Sequence, residues 1–456
     1  MKAMRERNGV FKFSQKCIEI FTLFGFRPII MLDSDLGQLD WIEIPRLWIN
    51  WSAIKHFNPI LFKRISLSLR IQLAENKPVG TPFDLHEIYR GIDLLKAIEY
   101  SLYVSLNISK HEFDLANRQH LKETYRWFNI AKSITDELID YFDKEKPSII
   151  VVMQGYFIEA AIARQLADRY SFQVVALENT LHSQRLIFEP ITGLSVNKTS
   201  IMAWFNRPFA HTSQNDRLDP ESWLNMINAM KHQDHKTPST HFSWPSKRKK
   251  ILFLGQCLTD SSVLFGIDRP YSTIEIIRYL MDYLSDRAIF LFVKLHPKEN
   301  GGINPLCKPY GKLTLRKIIE KGLINRTYKS SAASDGFYLD DSNQFSTNQL
   351  IRDVDVVVTI NSQAGLEALA LGKEVLLLGQ AFYDRIGCTW NVPDLSVLDS
   401  CLDAVLIQGK SLNNKTKLSE FLDIYFEKFC IKKDAESLVN ALAKRRISKG
   451  FFTPTS

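Results

Sequence analysis

Residues 354–358 read VDVVV, a nearly unbroken β-branched run. That is the pattern of a strand buried on both faces of a parallel sheet. EVLLLG (374–379) repeats it. Between the two, Asn361 and Ser362 are good helix N-caps, LEALAL (366–371) favours helix, and Gly372 can end it. The segment therefore reads as a βαβ unit whose helix starts at the carboxyl end of the sheet. Bare backbone N–H groups there, beside a Gly365 that lets a ligand approach the chain, suit a phosphate.

The same rhythm occurs twice more. PSIIVVMQG (147–155), YFIEAAIARQLADRY (156–170) and FQVVALEN (172–179) give strand, helix and strand. KILFLGQ (250–256), STIEIIRYLMDYLSD (272–286) and AIFLFVKLHP (288–297) do so again. Residues 85–145 carry helical apolar spacing, residues 298–350 read as irregular and polar with room for an insertion, and a helical tail runs from about 415 to 447. KHQDHKTPSTHFSWPSKRKK (231–250) has no periodicity and reads as a linker whose three histidines are exposed loop residues. A chain of 456 residues is too long for one ordinary core, so two domains of roughly 200 residues each are expected. The expected division is 1–240, a linker at 241–250, a second domain at 251–410 and a helical tail at 411–456.

With 45% apolar and 24% charged residues the composition excludes large-scale disorder. No run of 18 apolar residues exists, and MKAMRERNGVFKF is followed by no signal-like apolar core, so a cytoplasmic protein is expected. The six cysteines are scattered without zinc spacing and read as reduced thiols, with no metal site. A formal charge of +8 points to anionic partners, while the lack of helix-turn-helix, zinc-finger or aromatic RNA-binding patterns argues against nucleic acid. Residues 41–70 interleave three tryptophans with Lys55, Lys63, Arg64 and Arg70. Core packing is the first reading of that stretch, and peripheral contact with a membrane surface the second.

Four groups fall where strands of the second half end: GQCLTDSS (255–262), KLHP (294–297), TINSQAG (359–365) and GQAFYD (379–384). In a parallel α/β sheet such ends share one rim, and a ligand lies in the crevice outside them. Gln256, Ser261, Asn361 and Tyr383 belong to these groups and are counted on the donor side of a shared site. Lys294 and His296 alternate, share a face and can both donate to an anion. Ser362 can cap its helix, donate to a phosphate, or both; Glu367 can serve the helix dipole or accept from ribose hydroxyls. Asp260, in a Ser/Thr-rich turn, is by residue chemistry alone first a helix cap and second a carboxylate nucleophile.

GQCLTDSS, VKLHP and, most specifically, TINSQAGLEALALGKEVLLLGQAFYD resemble the capsule polysaccharide synthesis family, which includes transferases of 3-deoxy-D-manno-octulosonic acid (Kdo). The looser match LENTLHSQRLIFEPITG (177–193) resembles the family's acceptor half. The resemblance implies an α/β, GT-B-like fold: two Rossmann-like domains facing a central cleft, with a C-terminal helical segment that crosses back. It implies a glycosyltransferase without metal or cofactor, whose substrates are a nucleotide-sugar donor, CMP-β-Kdo, and a glycan or glycolipid acceptor.

On this chain Asp260 then matches the attacking carboxylate, His296 the histidine of the HP motif, and Ser362 with Gly365 the nucleotide-phosphate turn. Retention would follow from two successive displacements. Glu178, His182 and Glu189 fall on the acceptor side, with Glu178 and His182 placed to orient or deprotonate the acceptor hydroxyl. The chain departs from the family pattern at AFYDRIGCT, where Ile386 and Cys388 replace proline and leucine and Arg385 is either a further donor-side cation or simply exposed. It departs again at Thr180-Leu181. The rival readings are a transferase using a UDP-sugar, GDP-sugar or CDP-glycerol, and a non-catalytic nucleotide- or glycan-binding scaffold of capsule assembly.

Overall fold

The computed structural model describes residues 84–442 apart from 181, 183, 197–200, 202–204, 206–217, 231–239, 246–247, 267–271, 285–286, 303, 305–308, 324–335, 435 and 439. The tryptophan-rich stretch at 41–70 and most of the histidine-bearing polar stretch lie outside them. The chain divides into two compact units. Of the described residues, the first takes those up to 98, those within 125–204 and those from 425 on, the second those within 99–124 and 205–424.

In the first unit a two-residue hairpin, β1 (Ile88–Tyr89) with β2 (Ile92–Asp93), precedes a four-stranded sheet. Strands β3 (Ile149–Met153) and β4 (Gln173–Asn179) are parallel and joined by the helix Ile158–Tyr170, as the apolar spacing predicts. The sheet then turns antiparallel: β4 pairs with β5 (Arg185–Glu189), and β5 with β12 (Cys430–Lys432). The first unit thus holds one parallel crossover and a mixed sheet among the described residues. The expected helical tail is broken by β12: after the helix Lys415–Asp423, Cys430 faces Ile187 across a strand ladder.

The second unit carries six parallel strands: β6 (Lys249–Leu254), β7 (Ile289–Lys294), β8 (Phe337–Asp340), β9 (Val356–Thr359), β10 (Glu374–Leu377) and β11 (Trp390–Asn391). Their order across the sheet is β8-β7-β6-β9-β10-β11. Counted along this unit, that is 3-2-1-4-5-6, the doubly wound dinucleotide-fold order, with its switch point between β6 and β9. Leu254, Lys294, Asp340, Thr359, Leu377 and Asn391 stand level across the sheet. The loops that follow them form one rim. Ile251, Phe253, Val293, Val356 and Val358 are fully buried in its core.

Two stretches differ from the sequence expectation. Residues 298–350, expected to be irregular, contain the edge strand β8 and the helices Leu313–Glu320 and Thr347–Asp353. FYLD is a short run, and its apolar positions make sense only against β7. Residues 241–244, expected to be linker, pack on the second unit: the Phe242 ring lies 4.9 Å from Phe292 and 4.8 Å from Tyr338, and Trp244 lies 5.6 Å from Phe292. The helix Pro220–Met230, placed before the linker by sequence, likewise belongs to this unit, where the Trp223 indole donates to Asp423 at 2.9 Å.

Candidate functional site

The rim of the second unit is organised at the switch point. Gln256 follows β6 and Asn361 follows β9, and both are buried. The Gln256 carboxamide oxygen accepts from the Asn361 backbone N–H at 3.0 Å, and its Nε2 donates to Asn361 Oδ1 at 3.0 Å. Asn361 Nδ2 donates in turn to the carbonyls of Ser262 at 2.6 Å and Gln380 at 3.2 Å. Every polar group of the Gln256 side chain is engaged within the protein. Gln256 and Asn361, expected to touch the donor, instead bolt the two loops of the switch point together.

Asp260 lies beside this clasp, half-buried, at the start of the six-residue helix Ser261–Gly266. Its Oδ1 accepts from the Ser262 backbone N–H at 2.9 Å and from Ser262 Oγ at 2.7 Å, so the capping role is real. Ser261, half-buried, opens that helix. His296, at the neighbouring strand end, lies within electrostatic reach of the Asp260 carboxylate. Burial nonetheless lowers the imidazole pKa, with Asp260 opposing and Lys298 assisting the fall. His296 Nδ1 accepts from the Lys298 backbone N–H at 3.1 Å, which leaves the proton of the neutral ring on Nε2. A neutral N–H donor and a carboxylate thus lie within electrostatic reach of one another. Tyr310 joins them: buried near Cys257 and Asp260, its phenol is pushed well above the ordinary range and stays protonated. Neither Ser262 nor Tyr310 was singled out by the sequence. Ser262 is visible in retrospect as the residue two after a candidate carboxylate, whereas Tyr310 comes from a loop with no pattern.

Several expected donor-side residues are occupied elsewhere. Lys294 is 3% exposed and directs its ammonium to Asp340 Oδ2 at 3.0 Å, Asn343 Oδ1 at 2.5 Å and the Phe345 carbonyl at 2.9 Å. Three protons meet three acceptors, so none is left for a phosphate, and Lys294 and His296 do not act together as their alternation predicts. Tyr383 is fully buried and its hydroxyl donates to the Ser362 carbonyl. Gly365 is needed for that contact: a Cβ there would lie 2.2 Å from the Tyr383 hydroxyl and 3.3 Å from Thr359 Cγ2. The close approach expected of a ligand is made by a tyrosine.

Ser362 caps the helix Gln363–Ala370, its hydroxyl oxygen accepting from Ala364 N–H at 3.2 Å. The N–H groups of Asn361 and Ala364 are therefore satisfied within the chain, although the Ser362 hydroxyl proton remains able to donate. Glu367 is buried one turn into the helix, unlike a ribose ligand on an open rim. Arg385 is exposed, its Nε 3.8 Å from Asp384.

The three acceptor-side residues belong to the first unit. Glu178, half-buried in β4, adds to the pressure that keeps the buried Tyr425 phenol protonated. His182 is buried, its Nδ1 accepting from Gln184 N–H at 3.2 Å and its ring 6.1 Å from Phe426. Burial first, and Arg185 second, lower its pKa. Glu189 is fully buried and caps the next turn, accepting from Ile191 N–H at 3.0 Å and Thr192 N–H at 3.3 Å. Its carboxylate is a turn cap, and the acceptor role expected of it has no open surface to act on.

Residues 208–396, which span this rim, match the family model described as capsule polysaccharide biosynthesis protein. Among solved structures, the Thermosulfurimonas dismutans KpsC beta Kdo 2,4 transferase is similar at 19% identity over 65% of this chain and 88% of that one, with a TM-score of 0.45. The beta Kdo 2,7 transferase of the same organism is similar at 17% identity over 68% and 90%, with a TM-score of 0.37. MnaA of S. aureus with UDP is similar at 13% identity over 70% and 81%, with a TM-score of 0.32. No curated protein sequence matches the chain.

Proposed function

With residues 208–396 resembling the capsule polysaccharide biosynthesis family, we propose that the chain is a glycosyltransferase that moves Kdo or a similar acidic sugar from its CMP donor to a surface-polysaccharide or glycolipid acceptor. The observation that carries the reading is that the rim at the switch point of a doubly wound sheet holds both the Asp260 carboxylate and, within its electrostatic reach, a neutral, Nε2-protonated His296. That position is where such sheets take nucleotides.

The chemistry runs through two displacements. An Asp260 oxygen attacks the anomeric carbon, forming a carbon–oxygen bond as the bond from that carbon to the CMP phosphate breaks, and the electron pair leaves with the phosphate. His296 Nε2–H donates a hydrogen bond to the departing phosphate oxygen; a neutral donor there offsets developing charge at little desolvation cost. The acceptor hydroxyl then attacks the same carbon, its proton passes to a base, and Asp260 departs as carboxylate. Two inversions give retention. The Ser362 hydroxyl is a second donor toward the phosphate, compatible with its capping bond. The proposed setting is the cytoplasmic face of the inner membrane. Among the described residues no helix is long and apolar enough to cross a membrane.

CMP release from freshly generated CMP-Kdo, with and without a lipid-extract acceptor and beside a no-enzyme control, tests the reading. Acceptor-dependent release that is lost in Asp260→Asn and His296→Ala is the expected result. Turnover of a UDP-sugar, GDP-sugar or CDP-glycerol with none of CMP-Kdo assigns the rival donor class. CMP binding without release from any donor, unchanged in Asp260→Asn, assigns a non-catalytic scaffold.

A further inference from the structure

The geometry points to Ser262 as the positioning residue that decides which oxygen of Asp260 reacts, an inference that rests on the transferase reading above. Ser262 Oγ lies among three polar groups: Asp260 Oδ1 at 2.7 Å, Gln256 Nε2 at 3.1 Å and Asn361 Oδ1 at 3.1 Å. It has one proton to give. Gln256 Nε2 approaches as a donor, and its own orientation is imposed because the carboxamide oxygen of the same side chain accepts from Asn361 N–H at 3.0 Å. Asn361 is held in turn by its Nδ2 bonds to the Ser262 and Gln380 carbonyls. Flipping either amide would set like groups against each other, so the hydroxyl accepts from Gln256 and donates along its shortest contact, to Asp260.

Asp260 Oδ1 consequently receives two hydrogen bonds, from Ser262 N–H and Oγ–H, while among the described residues Oδ2 receives none. Donation to one oxygen occupies its lone pairs and fixes the plane of the carboxylate. The other oxygen is left as the better nucleophile, in a single orientation. A plain helix cap needs only the backbone bond. The buried Gln256–Asn361 clasp, which ties this hydroxyl to the far side of the switch point, is superfluous for capping a six-residue helix.

The test compares wild type, Ser262→Ala, Ser262→Thr and Asp260→Asn as full-length chains, measuring CMP release from CMP-Kdo, CMP affinity by calorimetry and the thermal midpoint. Loss of a hydrogen bond to a charged group predicts that Ser262→Ala lowers kcat about ten- to hundredfold. CMP affinity and the KM for donor should stay within about twofold, because an orienting bond acts on the transition state and not on ground-state binding. Ser262→Thr, which keeps the hydroxyl, should recover most of the loss. Wild-type kcat in Ser262→Ala, with Asp260→Asn inactive, overturns the inference and leaves the transferase reading standing. A kcat loss that Ser262→Thr fails to recover, accompanied by a lower midpoint and weaker CMP binding in both variants, assigns Ser262 to capping alone and overturns it too. Undiminished turnover by Asp260→Asn, or no CMP-Kdo turnover by wild type, removes the carboxylate chemistry and overturns both.

Discussion

On the β7–β8 flank of the second unit, Lys294 sits level with Asp340 on the neighbouring strand and places its protons on Asp340, Asn343 and the Phe345 carbonyl. A few residues away, around the β6–β9 switch point, the polar groups are as densely bonded, yet among the described residues one Asp260 oxygen and the His296 Nε2 proton stay outside the network. Both regions lie along the same rim, and each holds an aspartate and an asparagine. What separates them is topology. Adjacent strands that run on in one direction, as β7 and β8 do, bring their end residues side by side, and a lysine beside an aspartate neutralises itself. At the switch point the chain leaves β6 and β9 in opposite directions, so their loops diverge and a carboxylate between them can stay open. A strand-end cation is thus a ligand-binding candidate only when the neighbouring strand carries no matching anion at the same level.

The largest way to break this contrast is to unpair the buried ions. Lys294→Met leaves Asp340 buried without its cation and should lower unfolding free energy by about 3–5 kcal/mol in urea titration. Converting Asp340 to Leu in the same chain should restore part of it, since an apolar pair tolerates burial that a lone charge does not. A Lys294→Met protein with wild-type stability and weakened CMP binding would return the lysine to the donor site. Next in size is Gly365→Ala. Its Cβ meets a tyrosine hydroxyl that has no room to move, because Tyr383 is fully buried. Overpacking of this kind costs about 1–3 kcal/mol. Adding Tyr383→Phe should relieve only part, since Tyr383 Cζ would still lie 3.2 Å from the new methyl. Equal stability of Gly365→Ala and wild type would mean the glycine serves a ligand after all.

These two positions also mark how far the sequence could be read. The β-branched and apolar runs at 250–256, 288–297, 354–358 and 374–379 located four of the six strands of the second sheet, because a strand buried on both faces needs no outside information to declare itself. FYLD at β8 is too short and too near a polar segment to do so, and with it went the partner of Lys294. Alternation placed Lys294 and His296 on one face, but the strand ends at Lys294, and the short helical turn Pro297–Glu299 redirects the chain at His296. Asp260 was legible both as a cap and as a nucleophile candidate, and its hydrogen bonds to Ser262 bear out the cap. Gln256 and Asn361 were correctly placed at the rim yet misread in role: an amide pair looks the same in sequence whether it binds a ligand or its own counterpart 105 positions away.

Protonation of His296 gives a smaller, pH-dependent separation. Its pKa in the fold is below the ordinary value of 6.5, so the unfolded chain takes up the proton first as pH falls. The stability this contributes is complete above pH 6.5 and is lost as pH drops below it toward the lowered value. Wild type should therefore lose more stability between pH 7.5 and pH 5 than His296→Gln, read as the difference in urea midpoints. A larger loss in the variant would mean that the ring is held as imidazolium by Asp260, and that the histidine donor at the phosphate is a cation.

The smallest effect is expected at Arg385, which lies in the stretch AFYDRIGCT where Ile386 and Cys388 depart from the family text. Its side chain is 72% exposed and its ion pair to Asp384 is long at 3.8 Å. Exposed pairs of that geometry contribute little, so Arg385→Ala should leave the thermal midpoint unchanged. Activity is the more informative reading, because an exposed guanidinium beyond the rim is free to reach an anionic donor, whereas the buried Lys294 is not. A rise in donor KM with kcat unchanged would place Arg385 on the bound sugar-nucleotide as a uniform binding contact. No change in either constant would leave the anion to uncharged donors at the switch point, the neutral His296 and the Ser362 hydroxyl, and would make the contrast between the two regions of the rim one of charge withdrawn against neutral groups presented.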